Sequence, residues 1–250
     1  MPVKKPLRKS DSWRRAKLAW KRLVGREPRL KPDLDVPMER LGDWWLCLEL
    51  VREGQRAYSF GVGEDVGFDL ALIQARKVDV FAFDPTPNSI AWLQTQELPV
   101  QFHFFPWAVA ERDGCLFLYP RIKGDGSPSR VMYTIVAEPE ARDDGIEVTA
   151  RSLPSIMASL GHELVDILKM DIEGAEYGVL EGMLHSPLRP TQLLLEFHHR
   201  FPGLTVAGTL HTIDRLRQAG YGLAHISSSG REFTFILTAS LDVSGATRSR

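Results

Sequence analysis

Short apolar runs alternate with stretches of helical periodicity over most of the chain. Ala57 to Phe60 reads as a strand that runs into a glycine turn at Gly61 and Gly63. Asp65 to Arg76 follows, with Phe68, Leu70, Leu72 and Ile73 spaced for a helix. Val78 to Asp84 predicts a second strand, and Asn88 to Glu97 a second helix opened by Pro85 and Pro87. A third strand lies within Val100 to Ala110, and Gly114 to Arg121 and Gly145 to Arg151 read as further strands. Between them, Lys123 to Ser129 has the glycine, serine and proline content of a surface loop. Leu153 to Leu160 predicts a helix with Pro154 in its first turn, and Asp166 to Met170 a strand ending on carboxylates. A helix from Ala175 to Met183, a strand from Gln192 to His198 and a helix from Leu210 to Ala219, stopped by Gly220, come next. Tyr221 to Ser227 and Glu232 to Thr238 read as a closing hairpin. Strands alternating with helices imply a mostly parallel sheet covered on both faces, with an antiparallel edge from the hairpin.

Upstream, Trp44 to Val51 reads as a buried strand or short helix, and Pro28, Pro32 and Pro37 mark a linker. From Asp11, with Asp11 or Ser12 as N-cap, Trp13, Ala16, Trp20, Leu23 and Val24 recur at helical spacing up to Gly25. Arg and Lys fill the other faces, which gives a basic amphipathic helix over residues 11–24. Two readings follow: a helix that docks on a membrane surface or a protein partner, or a solvated arm whose tryptophans pack on the body. The divisions expected are an arm over 1–40, with residues up to Ser10 loose, one α/β domain over 41–240, and a disordered tail over 241–250.

Charge sharpens that division. Residues 1–31 hold 12 Lys+Arg and 2 Asp+Glu, a balance of +10, while the remainder holds 19 and 30, a balance of −11. An acidic body is not a nucleic-acid-binding profile, and no nucleic-acid partner is expected. No apolar run approaches the ~20 residues of a membrane span, nor is there a signal-peptide core, so a cytoplasmic location, with peripheral membrane contact through the arm, is the expectation. Cys47 and Cys115 match no metal-ligand spacing and read as ordinary thiols.

The chemistry concentrates at strand ends, where open α/β sheets bind ligands. Gly61 and Gly63 permit close backbone approach to a ligand. Asp84, 21 residues beyond Gly63 at the end of the next strand, is placed to accept from both hydroxyls of a ribose; its other reading is a helix N-cap before Pro85. A dinucleotide fingerprint would need glycine where Val66 stands, and Glu64 and Asp65 put negative charge where a pyrophosphate would sit. Those acids argue against an NAD-dependent oxidoreductase. They suit a nucleoside ligand that carries positive charge, and S-adenosylmethionine, with its sulfonium and ammonium, is one.

Five segments (YSFGVGEDVGFDL, FAFDPTP, PWAVAERDG, LKMDIEGAE and LLLEFHHR) resemble the FkbM-type family of class I, S-adenosylmethionine-dependent methyltransferases. The resemblance runs from about Tyr58 to Leu237, and LKMDIEGAEYGVL is its most specific piece. It implies a Rossmann-like, seven-stranded sheet with a terminal antiparallel hairpin and helices on both faces. It also implies methyl transfer, usually to oxygen, on a sugar or small metabolite. Residue by residue, Gly61 and Gly63 (with Glu64 beside them) would cradle the methionine and ribose portion. Asp84 would hold the ribose diol, Trp107 and Ala108 would contact adenine, and Asp171 would lie beside the transferring methyl. Ser59 departs from the pattern, since many class I enzymes carry an acid two residues before the first glycine.

Asp171, Glu173 and Glu176 form a dense acidic cluster, in which Glu176 reads as a favourable charge in a helix first turn. Glu196 and His198 alternate along the fifth strand and so share a face. His198 would deprotonate an acceptor hydroxyl, or Asp171, Glu196 and His198 would together bind a divalent cation that acidifies it. Arg121 to Glu147 is the expected lid or substrate loop. A non-catalytic adaptor docking through its basic helix is the rival class. Acceptor identity and oligomeric state are not fixed by any pattern in the chain.

Overall fold

A computed structural model describes residues 11–135 and 144–244. The expectations for residues 1–10, 136–143 and 245–250, and the capping role of Asp11 or Ser12, lie outside what it describes. The main sheet has seven strands: β3 (Arg56–Phe60), β4 (Asp79–Phe83), β5 (Phe102–Phe105), β10 (Ile167–Met170), β11 (Gln192–Glu196), β12 (Tyr221–Ile226) and β13 (Glu232–Leu237). Their order across the sheet is β12-β13-β11-β10-β3-β4-β5, with β13 antiparallel to both neighbours. This is the class I methyltransferase arrangement that the resemblance implied.

Alternation along these strands builds two cores. Tyr58, Phe60, Leu168, Met170, Leu193 and Leu195 face one way, onto helices α4 (Leu153–Leu160), α5 (Glu176–Leu184) and α6 (Val206–Gln218). Ala57, Val80, Ala82, Ile167 and Leu194 face the other, onto α2 (Gly67–Arg76) and α3 (Pro87–Leu93). At about 25 cal/mol per Å², either face contributes far more than local propensity does. The register pairs Met170 with both Phe60 and Leu195. Gly61, Asp171 and Glu196 therefore leave the sheet side by side, at the switch point where the strand order reverses.

Several boundaries move, each for a local reason. α2 starts at Gly67 rather than Asp65, because Asp65 Oδ1 accepts from the Gly67 N–H at 2.8 Å. α6 starts at Val206 because Thr205 caps it, accepting from Gly208. Trp44 to Val51 combines both expected forms: β2 (Trp44–Leu46), paired with β1 (Glu39–Leu41), then a 3-10 turn at Leu48–Leu50. Residues 241–244 of the expected disordered tail belong to a helix, α7 (Ala239–Ser244), with Leu241 buried.

A second, four-stranded sheet was only partly foreseen. It joins β6 (Ala108–Val109), β9 (Ile146–Arg151), β7 (Gly114–Ile122) and β8 (Pro128–Thr134) in that order. The expected loop from Lys123 closes within a few residues, where the Lys123 N–H donates to Ser127 and the Gly126 N–H to Lys123. Pro128 then opens a strand antiparallel to β7. Sequence patterning missed β8 because a polar hairpin strand carries little apolar alternation.

The N-terminal helix α1 (Asp11–Leu23) forms as expected, but its tryptophans stay about half exposed. Trp13 and Trp20 are 45% and 55% exposed, and Leu18, from the opposite side, makes the buried contact. No helix among the described residues is long and apolar enough to cross a membrane. Cys47 is buried and Cys115 exposed, and both are free.

Candidate active site at the strand ends

The glycine turn after β3 is fixed by backbone contacts before any ligand is considered. Gly61 has φ +72°, and a Cβ there would overlap the Asp171 carbonyl oxygen. Its N–H donates to Phe83, and the Asp171 N–H to Phe60, so three strand ends are tied together. The buried Lys169 ammonium lies beneath the turn, donating to the Gly61 carbonyl at 2.8 Å and the Phe60 carbonyl at 3.3 Å. Lys169 also acts on Asp69 of α2, which is buried; burial pushes that carboxyl up to about 6 and the Lys169 charge opposes the rise. Ser59, at the departing position, is fully buried beside this pair and does not reach the cavity.

Above the turn opens a cavity of about 270 Å³. Gly61, Gly63, Glu64, Asp84, Trp107, Ala108 and Asp171 all line it. Asp84 is 5% exposed. Its Oδ2 accepts from the Gly63 N–H at 2.9 Å, and its Oδ1 from the Thr86 N–H and hydroxyl at 2.9 and 2.6 Å. These bonds fix the carboxylate, fill both acceptor sites of Oδ1 and leave one lone pair free on Oδ2. The N-cap of α3 is Thr86, so Asp84 shapes the turn before that cap rather than capping the helix itself. Trp107 stands at the end of an aromatic row through Phe83 and Phe105, and the Arg151 guanidinium covers its ring at 4.0 Å from the centroid. Trp107 and Ala108 lie beyond the third strand, which ends at Phe105; Ala108 begins β6.

The cavity floor is acidic. Asp171 follows β10, and Glu173, two residues on, has φ +51°, a backbone conformation rarely adopted by a side-chain-bearing residue and concentrated at functional sites. Both line the cavity. Glu196 and His198 do not; they are 7% and 5% exposed and stand behind the two acids. His198 Nε2 lies 3.7, 3.5 and 3.8 Å from oxygens of Asp171, Glu173 and Glu196, and its Nδ1 donates to Glu176 Oε1 at 2.8 Å. Burial disfavours the imidazolium, but the Glu176 hydrogen bond and the surrounding carboxylates outweigh it and raise His198 to about 9. Burial raises Asp171 and Glu173, against the pull of Lys169 and of His198 respectively. Glu196 rises to about 7 through burial and the Asp171 charge, although Arg231 Nη1 pairs with it at 2.9 Å.

The sequence profile of the methyltransferase FkbM domain matches residues 62–223, well over half the chain. The chain belongs to the FkbM methyltransferase family. It is similar to the probable methyltransferase-like protein 24 of Rattus norvegicus, at 28% identity over 191 residues, which cover 75% of this chain and 44% of that protein. The Homo sapiens protein of the same name is 28% identical over 183 residues, covering 69% and 42%. The chain thus spans less than half the length of the curated relatives it matches. Among solved structures it is similar to the methyltransferase FkbM of Methylobacillus flagellatus KT, with a TM-score of 0.49 and 16% identity over 73% of this chain and 43% of that one.

Within this FkbM domain the structure changes the weight of several residues. Glu176, read from sequence as a helix-dipole charge, is fully buried and turns its carboxylate back to accept from the Ile172 and Gly174 N–H groups as well as from His198. It therefore builds the turn that carries Asp171 and Glu173. Glu173 and Lys169 were not singled out for a role in the site; the LKMDIEGAE segment contains both, but only the register shows that Lys169 points under the glycine turn.

The metal reading fares less well. Asp171, Glu196 and His198 offer ligand atoms within 4.8 Å of one another. Yet His198 is already engaged by Glu176, with that bond and the surrounding carboxylates raising it to about 9, and Glu196 is already paired with Arg231. Lys169, Arg121 and Arg231 also act on these carboxylates, so a divalent ion there would compete with cations the chain already supplies.

Proposed function

We propose that this FkbM protein transfers a methyl group from S-adenosylmethionine to a hydroxyl oxygen of a saccharide or other small acceptor. One observation carries the donor assignment: the fixed Asp84 carboxylate, the glycine turn and Asp171 share one cavity wall at the switch point of the sheet. The fit is chemical as well as spatial. Asp84 keeps a free lone pair on Oδ2 for a ribose hydroxyl, Trp107 offers a ring face for a purine, and Glu64 and Asp65 give the mouth a negative charge that favours a cationic ligand over a pyrophosphate. When bound, S-adenosylmethionine supplies an electrophilic methyl group.

The hydroxyl acceptor has its support in the acidic floor, and the saccharide or small-metabolite class in the family resemblance. Asp171 and Glu173 are the carboxylates of the acidic floor that reach the cavity, with proton affinities raised by burial. Either accepts a proton from a hydroxyl placed against it; such a base is worth about 10²–10⁴-fold in rate. His198, already protonated, is not that base. It and Glu196 act through the two floor acids, holding their orientation and spreading the charge that develops. β8 and the residue that follows it bring Met132, Tyr133 and Ile135 to the cavity lining, so the β7–β8 hairpin is the acceptor-side wall in this reading.

Thermal unfolding with S-adenosylmethionine, S-adenosylhomocysteine or NAD tests the assignment. Either sulfur nucleoside at ~100 times its dissociation constant adds about 2.7 kcal/mol, or roughly 5–10 °C for a domain this size. A shift with NAD alone would overturn the assignment. No shift with any of the three at millimolar ligand would favour the adaptor reading.

A further inference from the structure

We propose that α1 is an interfacial anchor that seats the protein on an anionic lipid surface. The helix presents its apolar side outward. Trp13, Trp20, Leu23 and Val24 are 45%, 55%, 71% and 46% exposed. At 3.6 residues per turn they cluster on one side of the helix, and Leu18 lies roughly 160° around from Trp20. Leu18 is 8% exposed and packs against Gly230, in the turn between β12 and β13, where a side chain would collide with it.

The orientation is pinned rather than loose. Glu27, just beyond the helix, is 1% exposed and accepts from His199 Nε2 at 3.0 Å and Arg200 Nε at 2.6 Å, with Lys21 Nζ at 3.3 Å. Arg29 donates to the carbonyls of Arg22 and Leu23 at 2.7 and 2.8 Å, closing the helix C-terminus. An aromatic and aliphatic face is thus fixed toward solvent on a helix that the rest of the chain holds in place.

Charge selects the occupant. The balance of +10 over residues 1–31, against −11 elsewhere, draws this end of the molecule to a negative surface. Lys17 and Arg26 are exposed beside the apolar face. Tryptophan and leucine ringed by Lys and Arg suit the headgroup boundary of an anionic bilayer, where each nearby cation strengthens attachment. A second copy is disfavoured, since it would set one strongly positive arm against another.

Placement gives the anchor a consequence. Gly230 precedes Glu232, which pairs with Glu196, and His199 and Arg200 follow β11. The anchor therefore lies at the same end of the sheet as Gly61 and Asp171, so a lipid-seated α1 brings the cavity end of the sheet close to the bilayer.

Co-sedimentation of the full chain with phosphatidylcholine vesicles and with equimolar phosphatidylglycerol–phosphatidylcholine vesicles tests this. Binding is expected to the anionic vesicles alone and to weaken with salt. Trp20→Ser/Leu23→Ser and, separately, Lys17→Glu/Arg26→Glu should each lower affinity by about tenfold or more, with circular dichroism unchanged. Quenching of tryptophan fluorescence by brominated lipid should accompany binding and fall in the Trp20→Ser/Leu23→Ser protein. Failure to bind anionic vesicles overturns the proposal. So does binding that Trp20→Ser/Leu23→Ser leaves unchanged, which would mean adsorption by charge alone. A wild-type oligomer dispersed by that variant would assign the face to a second copy instead.

Discussion

His198 donates through Nδ1 to Glu176 Oε1 at 2.8 Å, and the two side chains are 5% and 0% exposed. The bond makes His198 a resident cation, and the stability of the protein should record it. His198 rises from 6.5 to about 9, so the native state binds this proton more tightly than the unfolded chain does. Its contribution is complete below pH 6.5 and is lost as pH rises through about 9. Glu196, raised from 4.5 to about 7, adds a loss of the same sign at lower pH. Urea unfolding across pH 6.5 to 9 should show stability falling, by about 3 kcal/mol at most for the His198 part. His198→Gln should flatten that fall. A wild-type profile that is level over the window would show that His198 is neutral in the folded protein.

Lys169 and Asp69 form the second buried charge system, and it supports the cavity from below. Replacing Lys169 by methionine leaves the Gly61 and Phe60 carbonyls without their donor and Asp69 without its cation. A loss of about 1–3 kcal/mol is expected for the two buried carbonyls left without a donor, with more if the Asp69 charge depends on Lys169. Asp69→Asn in the same chain should restore part of it, because the uncompensated carboxylate is then gone. Denaturant titration of the four proteins measures the coupling. Additive effects would mean that Lys169 serves the glycine turn alone.

These two charge systems mark where reading the chain stops working. The alternation of apolar runs and helices was enough to place the strands of the main sheet, because burying one face of each element is what the pattern encodes. The cavity wall was likewise legible: Gly61, Gly63, Asp84 and Asp171 sit at strand ends that a local motif identifies. The layer behind the wall was not. Glu176 meets His198 across 22 residues and Lys169 meets Gly61 across 108, and no local periodicity reports a contact of that span. His198 was read from its reference pKa, whereas four surrounding carboxylates decide its state. The outward face of α1 was left open between two readings for a similar reason, since amphipathicity shows that a helix has an apolar side without showing what covers it.

Asp84→Asn separates ligand binding from folding. The amide oxygen can still accept from Thr86, but the amide nitrogen then faces the Gly63 N–H, donor against donor. About 1–3 kcal/mol of stability should be lost. Affinity for S-adenosylhomocysteine, read by isothermal titration, should fall tenfold or more, since a ribose diol loses one acceptor and the glycine turn shifts. Glu64→Gln, at the exposed mouth, should change affinity only severalfold at low salt and less at high salt. Unaltered affinity in Asp84→Asn would remove the ribose assignment while leaving the fold untouched.

The acidic floor makes a divalent cation the obvious competitor to a proton, and the two make opposite predictions. A metal held by Asp171, Glu196 and His198 would need a lone pair on His198 Nε2 and would displace Arg231 from Glu196. With His198 raised to about 9 and Glu196 paired with Arg231, a divalent ion would have to displace both a proton and an ion pair. Chelator-treated protein should therefore show the same thermal midpoint with and without magnesium or manganese. Its affinity for S-adenosylhomocysteine should also be indifferent to either ion. Stabilisation by manganese that disappears in His198→Gln would reverse the assignment, turning the histidine from a fixed cation into a ligand. In that case the pH dependence expected of the wild-type protein should vanish once the metal is bound, so the same pair of variants reads both questions.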